Sequence, residues 1–483
     1  MGTISSALNI ISSALNADQQ ALNTVANNVA NANTDGYTRE TSNFQESTPI
    51  SINGVTYGDG VTNTGSVSIR DRVLEQRLTQ QQQLSSASSA RLSALDSIQT
   101  LFTPDSGSST STAGDIGSDV TSFFDSFSSL EANPTSSALR QSVLSAASTL
   151  AGDVSNAAAS LNSQQSALDQ EAAGVTTQVN TLTKDIAQLN QQIQSLSPTA
   201  DAGTLEDQRQ QDILSLSKLI GINQITTENN GLSITTTSGQ LLVSQSNSYQ
   251  LTTGTSGGLT HFYIGSTDVT SQLASGGGSL GGYLTARDQD IPSAMNALDQ
   301  LAYSVTTQVN ALNNAGTDLN GDQGTGTDSS GVTGTGTTPL YIFNEPTQVA
   351  GSALSMSVVM TDPDQIAAAG LSSGSGDNSN ALALADLSTS TIVNGKTPTN
   401  FFSEFVSQLG STVSGVETDS TSQSASVSQI QSQISSLSGV SLNDEASSMQ
   451  QYERAYQAAS EVFTILNQVM SSALNLGVQT AVA

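Results

Sequence analysis

Gly276, Gly278 and Gly281 satisfy the G-x-G-x-x-G spacing, and Asp299 follows at nearly the distance of a ribose-binding acid. In a dinucleotide site such glycines let the backbone approach a pyrophosphate between a strand and a helix. Glycine is abundant here, 40 residues in 483, so the match arises readily by composition. A flexible strand-to-helix connection with no cofactor is the expectation. Asp318, Asn320 and Asp322 reproduce the first half of a calcium loop. The sixth position, which must turn sharply, is Gln323, and the twelfth, which needs a bidentate carboxylate, is Ser329. That predicts a solvated turn. His261 is the sole histidine and stands beside Phe262 and Tyr263; it cannot build a histidine-rich metal site, has no nucleophile motif nearby, and reads as a strand residue. Asp444-Glu445 heads a helix, where negative charge favours the macrodipole and the first-turn N–H groups. No acid–base pair, metal ligand or cofactor residue is expected, and the chain does not read as an enzyme.

Composition narrows the rest. Twelve Lys plus Arg stand against 41 Asp plus Glu, a net charge of −29. Such a surface repels phosphate backbones and anionic lipid, so neither nucleic acid nor membrane is an expected partner. Cysteine is absent, which removes disulfides and thiol chemistry. No run approaches the 18 or so apolar residues of a membrane span, and the first residues lack the basic and apolar regions of a secretory signal peptide. Met1-Gly2 with Ser6 fits a myristoylation pattern, but the same residues open a heptad.

The strongest periodicity lies at the two ends. Ile4, Leu8, Ile11, Leu15, Asp18, Leu22, Val25 and Val29 alternate spacings of four and three, apolar except at Asp18. Asp18 reads either as a solvent-exposed gap or as a register-setting polar residue. At the other end Leu442, Met449, Tyr456, Phe463 and Met470 interleave with Tyr452, Ala459, Leu466 and Ala473, and Ala455, Val462, Val469 and Leu476 widen the stripe. Each helix needs a partner. An antiparallel pair of the two is predicted. The added row on the C-terminal helix has no use inside that pair and points to assembly with other chains.

Between the ends the period shifts repeatedly. Short strands are expected around Val55-Thr56-Tyr57 and Val67-Ser68-Ile69, and a helix through Leu74, Leu78, Leu84, Leu92, Leu95, Ile98 and Phe102. A loop at 105–114 follows, then helices carrying Phe123, Phe124, Phe127 and Leu130 and a long heptad from Val175 to Leu196. The stretch 222–273 is β-like, 316–338 is a Gly/Thr/Asp loop, and a last helix runs through Phe402, Leu409, Val413, Val416, Ser420, Gln423, Val427, Ile430, Ile434 and Leu437.

Ala26-Asn27-Asn28-Val29-Ala30-Asn31-Ala32-Asn33-Thr34, with Gly36-Tyr37 and Arg39, resembles the N-terminal signature of the bacterial flagellar axial family of rod, hook and hook-associated proteins. That family usually has Pro where this chain has Asp35, which leaves the stiffness of the turn open. Asn133-Pro134-Thr135-Ser136 with Arg140, Leu205-Glu206-Asp207-Gln208-Arg209, and Gly281-Gly282-Tyr283-Leu284-Thr285-Ala286-Arg287-Asp288 resemble its hook–filament junction members. Ser438–Leu442 with Asp444-Glu445-Ala446 and Tyr452…Ala455-Tyr456-Gln457-Ala458 is similar to the C-terminal signature.

The expected fold is mainly α with β-rich insertions: a coiled-coil-like pair of terminal helices (1–40 with 440–483), a helical bundle (41–220 with 280–315 and 377–439), and one or two small β lobes (221–279 with 316–376). The resemblance implies a secreted structural subunit of the flagellum at the hook–filament junction, exported through the type III apparatus. Its implied partners are further copies of itself in a ring, hook protein below, other hook-associated proteins or flagellin above, and an export chaperone at the C-terminal region. The expected assembly seam is Ile4, Leu8, Ile11, Leu15, Leu22, Val25, Val29, Leu442, Met449, Tyr452, Tyr456, Ala459, Phe463, Leu466, Met470 and Ala473. The alternatives are another axial protein (hook protein or the flagellin-like third hook-associated protein) or a secreted glycan-binding adhesin. The helical middle argues against the first, and the few aromatic rings of 222–280 against the second.

Overall fold

The computed structural model describes residues 2–479 apart from 53–54, 103–114, 197–201, 227–230 and 372. The loop expected at 105–114 lies outside the described residues, as does the side chain of Leu476. Helix α1 (Gly2–Ala30) leads through a turn into an antiparallel ribbon of β1 (Glu40–Glu46) and β4 (Val61–Ser68), with the small hairpin β2 (Ile50–Ile52) and β3 (Val55–Tyr57) between them. Then come α2 (Arg72–Gln99), α3 (Ile116–Ala132), the 60-residue α4 (Ser137–Leu196) and α5 (Gly203–Leu219). At 1.5 Å per residue α4 is about 90 Å long. Capping fixes where these helices start: Asp71 accepts from the N–H groups of Val73 and Leu74, and Asp115 from that of Ser118.

A four-stranded antiparallel sheet follows, β5 (Ile222–Thr226), β6 (Leu232–Thr236), β7 (Leu241–Ser244) and β8 (Asn247–Ser248). A three-stranded one comes next, β9 (Leu251–Ser256), β10 (Leu259–Ile264) and β11 (Thr267–Asp268). Helices α6 (Thr270–Ala274) and α7 (Gly278–Thr285), a π-helical turn at Ala286–Asp290 and α8 (Ile291–Asn314) return to the bundle. The paired β12 (Gly316–Thr317) and β13 (Ala369–Gly370) enclose α9 (Ser352–Ser355). They are followed by α10 (Ser379–Ala385), α11 (Pro398–Ser438) and α12 (Leu442–Gln479). The chain is thus mainly α with small antiparallel sheets. Helix α12 runs through Gly477 to Gln479.

The two β-rich stretches do not share a core. Ile222, Leu232, Ile234, Leu242, Val243, Leu251 and Phe262 pack on Val175, Val179 and Ile186 of α4 and Ile213 and Leu216 of α5. Ile342, Phe343, Met356 and Ile366 instead join the larger bundle core with α3, α8 and the first half of α4. There Phe123 lies at 5.3 and 5.5 Å, ring centre to ring centre, from Phe127 and Phe343. Sequence alternation reports that a segment is β but carries no information on which face of a long helix it will cover.

The phrases that carry the resemblance hold buried charges. Arg140, 1% exposed, donates through Nε and Nη2 to the Pro134 carbonyl at 3.0 and 2.7 Å and also to the Ile366 carbonyl. It thereby ties the α3–α4 turn to a segment more than 220 residues away. Arg287, equally buried, donates to Asp169 Oδ1 at 2.5 Å and the Thr260 carbonyl at 2.8 Å. Burial alone would raise the Asp169 carboxyl; hydrogen bonds from Thr260 and Arg287 outweigh it and hold the group below its ordinary range. Arg287 Nε and Nη2 also donate to the two Asp288 carboxylate oxygens at 2.7 and 3.0 Å, so the buried guanidinium is shared between two acids.

Asp119 on α3 faces Asp153 on α4, and burial followed by the hydrogen bond and charge of Asp153 pushes its carboxyl up to about 7. Its folded-state pKa thus lies above the ordinary 3.8. The associated stability is full below the unfolded value and is lost as pH rises through the folded one. Asp119→Asn keeps the hydrogen bond without the charge. It should raise the melting temperature at pH 8.5 by a few degrees, about 1–2 kcal/mol after solvent screening, and by roughly half as much at pH 5.5, which lies between the unfolded and folded values, where the loss is only partial. A scan of both forms across pH checks this; an equal gain at both pH values would contradict it.

Candidate assembly surface and the clasp beneath it

Helices α1 and α12 run antiparallel, since Asn28 near the end of α1 meets Glu445 near the start of α12. On α1, Val25 is buried, and Ile4, Leu8, Ile11, Leu15 and Leu22 are half-buried. On α12, Met449, Tyr452, Ala459, Phe463, Leu466 and Met470 are half-buried. Val29, Leu442, Tyr456 and Ala473 are exposed, so the chain itself leaves them uncovered. So are Ala455, Val462 and Val469, together with Ile465, which the heptad reading passed over. Val462, Ile465 and Val469, at 42, 57 and 48% exposure, share a face about a quarter turn from the covered one.

A second face of α1 was not anticipated. Ala17 and Ala21 are buried, and helical spacing aligns them with Ile10, Ser13, Thr24 and Asn28. The β1–β4 ribbon lies there: Ser42 Oγ donates to Thr24 Oγ1 at 3.2 Å, and a Cβ on Gly60 would stand 2.6 Å from Ser13 Oγ. Phe44 of the ribbon reaches across to Tyr452 of α12, ring centres 6.0 Å apart. Small residues at positions 17 and 21 admit this close approach, and nothing in a heptad count singles them out.

Glu445 corrects an expectation. Its carboxylate is not spent on first-turn N–H groups; the residue is 1% exposed. Arg39 Nε donates to its Oε1 at 2.6 Å, and Asn28 Nδ2 donates to its Oε2 at 3.0 Å. Asn28 Oδ1 in turn accepts from Tyr37 Oη at 2.8 Å and from the Glu40 N–H at 3.0 Å. Burial, then the charges of Glu40, Asp207 and Glu445, push the Tyr37 hydroxyl up to about 12, so it remains a donor. The Arg39 N–H donates to the Ser438 carbonyl at 2.9 Å. These residues clasp the turn after α1 to the start of α12. They set the register of the pair. Asp18, half-buried and with its carboxyl raised by burial, has no such partner set.

Behind the clasp lies a second cluster. Asp207 of α5 accepts from the Thr38 N–H at 2.9 Å, Thr38 Oγ1 at 2.6 Å and Arg70 Nη2 at 2.7 Å. Arg209 Nη1 donates to Asn190 Oδ1 at 2.8 Å, and Asn190 Nδ2 donates to the carbonyls of Leu232 and Gln245. Burial lowers the Arg209 guanidinium to about 10, still charged at neutral pH. This cluster joins the N-terminal turn, α2, α4, α5 and the first sheet. The Glu206–Arg209 phrase signalled it, but sequence alone assigned it no partner. An open cleft of about 570 Å³ lies between, lined by the 31–38 turn, Glu75, Asp207 and the end of α11. Asp35, in the place where the family has Pro, offers its carbonyl to Gln211.

The other candidates resolve into structure. Gly278 has φ +72° and its missing Cβ would lie 2.4 Å from the Ile220 nitrogen; one on Gly282 would lie 2.4 Å from the Ala87 carbonyl. Those glycines allow α7 to lie on α2 and on the end of α5. Asp299 accepts from the N–H groups of Gly351 and Ala353, both at 2.9 Å, at the head of α9. His261 is a strand residue whose Nδ1 lies 2.7 Å from Asp268 Oδ2. Hydrogen bonds from Thr270, then from His261, bring Asp268 down to about 2. Among the described residues no group of three or more His, Cys, Asp or Glu could hold a metal ion, and no helix is long and apolar enough to cross a membrane.

Comparison with known proteins agrees. Residues 105–327 match the family described as flagellar hook-associated protein FlgK helical domain, and residues 8–38 match that described as flagella basal body rod protein. Flagellar hook-associated protein 1 of Salmonella typhimurium is 27% identical across 98% of this chain and 100% of its own length. That of Bacillus subtilis is 26% identical over 95% of each. The flagellar hook junction protein FlgK of Burkholderia pseudomallei shares the fold, with a TM-score of 0.62 at 20% identity over 75% of this chain and all of that one. End-to-end relatives, two family matches and a shared fold coincide with the phrases read from the sequence: along almost its whole length the chain is similar to flagellar hook-associated protein 1.

Proposed function

We propose that this chain is a structural subunit of the bacterial flagellum that joins hook to filament, assembling through its terminal helix pair. The observation that carries the assembly reading is the uncovered row Val462, Ile465 and Val469 beside an already occupied seam. Covering these half-exposed side chains yields about 3 kcal/mol for each copy of the contact, and a head-to-tail contact repeated between identical chains gives a ring when its rotation closes. Ile4, Leu8, Ile11, Leu15, Leu22 and Val25 hold the pair together with Met449, Tyr452, Ala459, Phe463, Leu466 and Met470, and the outer row meets the neighbouring subunit. The division of labour follows: 1–40 with 440–483 form the axial part, and the bundle with its β-rich segments forms the outer wall. The role is mechanical and needs no catalytic residue. Hook protein is the partner below and flagellin or other hook-associated proteins the partners above. The chain reaches this place by type III export, with a chaperone at its C-terminal region.

Electron microscopy of cells lacking this protein tests the role. Hooks without filaments, with flagellin lost to the medium, are expected; intact filaments would refute it.

Charge supplies a second test. At −29 per chain, like charges oppose assembly and the apolar row must drive it. Salt screens exposed charges beyond about 8 Å at physiological ionic strength. Raising salt at neutral pH should promote self-association of the full chain in sedimentation. A form lacking 1–40 and 440–483 should stay monomeric over the same series. Equal association of the shortened form would move the assembly surface to the outer wall.

A further inference from the structure

Residues 317–326 and 327–336 are two copies of one decapeptide, Thr-Asp-x-x-Gly-x-x-Gly-Thr-Gly, identical at six of ten positions. The backbone repeats with the sequence. Asp318 Oδ1 accepts from the N–H groups of Asn320 and Asp322 at 2.9 and 2.8 Å, and Asp328 Oδ1 from those of Ser330 and Val332, both at 2.9 Å. The Asp318 N–H donates to the Asp322 carbonyl and the Asp328 N–H to that of Val332. Thr317 bridges Gln323 as Thr327 bridges Thr333. Gly321 and Gly331 take φ of +88° and +86°, a conformation glycine adopts without steric cost. The calcium-like Asp318, Asn320 and Asp322 are therefore the first rung of a stack, in which the Asp318 carboxylate is spent on closing a turn.

The rungs lie on one another in the same way. The inner rung rests on the end of α8: Asn314 Oδ1 accepts from the Thr325 N–H at 2.9 Å, and a Cβ on Gly324 would lie 2.1 Å from the Asn314 carbonyl. The outer rung rests on the inner: Gln323 Oε1 accepts from the Thr335 N–H at 3.0 Å, and a Cβ on Gly334 would lie 2.1 Å from the Gly324 carbonyl. The repeated glycines are the surface on which the next layer sits. Thr317 and Asp318 are buried, whereas most of the outer rung is exposed. The next anchored residue is Leu340, whose N–H donates to Asn314 Oδ1 at 3.0 Å. Thr337, Thr338 and Pro339 before it are exposed. Three residues can span about 10 Å, more than the roughly 4.8 Å between neighbouring strands.

We infer that residues 317–336 are a modular stack of turns whose outer rung can be removed or repeated, so that this flank of the outer wall changes its reach in ten-residue steps while the core is untouched. The test uses three full-length variants followed by hydrogen exchange. One deletes 327–336. One inserts a third copy of Thr-Asp-Ser-Ser-Gly-Val-Thr-Gly-Thr-Gly after Gly336. One inserts the same ten residues in scrambled order. The deletion is expected to keep the Asn320 and Asp322 amides slow, and the melting temperature within about two degrees of the parent. The added copy should show its own protected amides two and four residues after its Asp, at least tenfold slower than any in the scrambled insert. Exchange of the added copy as fast as the scrambled one would overturn the inference. So would loss of inner-rung protection on deletion, which would make the two rungs one indivisible unit. Asp318→Ala should release both rungs and Asp328→Ala only the outer one; the reverse order would also count against stacking from α8 outward.

Discussion

Glu445→Ala should release the terminal helix pair from the rest of the chain. The carboxylate it removes is buried and holds both Arg39 Nε and Asn28 Nδ2. Breaking a fully buried pair costs about 3–5 kcal/mol. The Arg39 side chain is 25% exposed and can turn partly to water, which reduces the expected loss to about 2–3 kcal/mol. The loss falls on the docking of α12, because the bundle core contains none of these residues. Amides of α1 and of the first turns of α12 should exchange at least tenfold faster, with those of α3 and α8 unchanged. Glu445→Gln, which retains a hydrogen-bond acceptor for Asn28, should lie between. Asp18→Ala is the control: a larger effect there than at Glu445 would return the register-setting role to the heptad position.

Phe463→Asp should abolish assembly while leaving the helical bundle folded. Phe463 stands in the middle of the covered face of α12, between Ala459 and Leu466. A carboxylate there loses the packing of a large ring and sets a charge against Leu and Ile side chains of α1, a cost of about 3 kcal/mol or more. The helix pair is long, narrow and poor in strong helix formers on its outer face, so it has little stability to spare. Cells carrying the variant should lose motility, and the purified protein should show the parent's thermal transition for the bundle but no self-association in high salt. Ile465→Asp separates the two layers of the argument. It should leave the pair closed, because Ile465 is 57% exposed, yet still prevent association. His261→Ala should affect neither. A motile Ile465→Asp strain would show that the outer row is not the contact between subunits.

Much of the fold was legible because its signals are local. The alternation of four and three along Ile4–Val29 and along α12 specifies helices with one apolar side, whatever they pack on. The helices of the middle are likewise announced by Leu, Val and Ile spacing. The Asn133-Pro134 break is a local event, with Asn133 at the end of α3. What a periodic count misses is any contact made by residues that do not look apolar. Ala17 and Ala21 are buried beneath the ribbon because they are small. Ser85, Ser89 and Gln81 pair with Ser424, Ser420 and Gln423 across the α2–α11 seam, where apolar residues would be the ordinary expectation. The decapeptide repeat could have been found by self-comparison of the sequence; its resemblance to a calcium loop drew attention to half of one copy.

The sequence by itself determined the class of the protein: acidic, free of cysteine, helical at both ends, with the phrases of the flagellar axial family and an apolar row in excess of what one partner helix can cover. These follow from composition and from periodicities shorter than ten residues, which any fold must respect. Only the tertiary structure decided what the charged residues inside those phrases do. Glu445, Asp207, Arg140 and Arg287 each bind groups more than 100 residues away along the chain or carbonyls of other elements. A charged side chain in a sequence is, to first order, a solvated one. Its burial depends on a partner delivered by the packing of distant helices, and no spacing rule reaches that far.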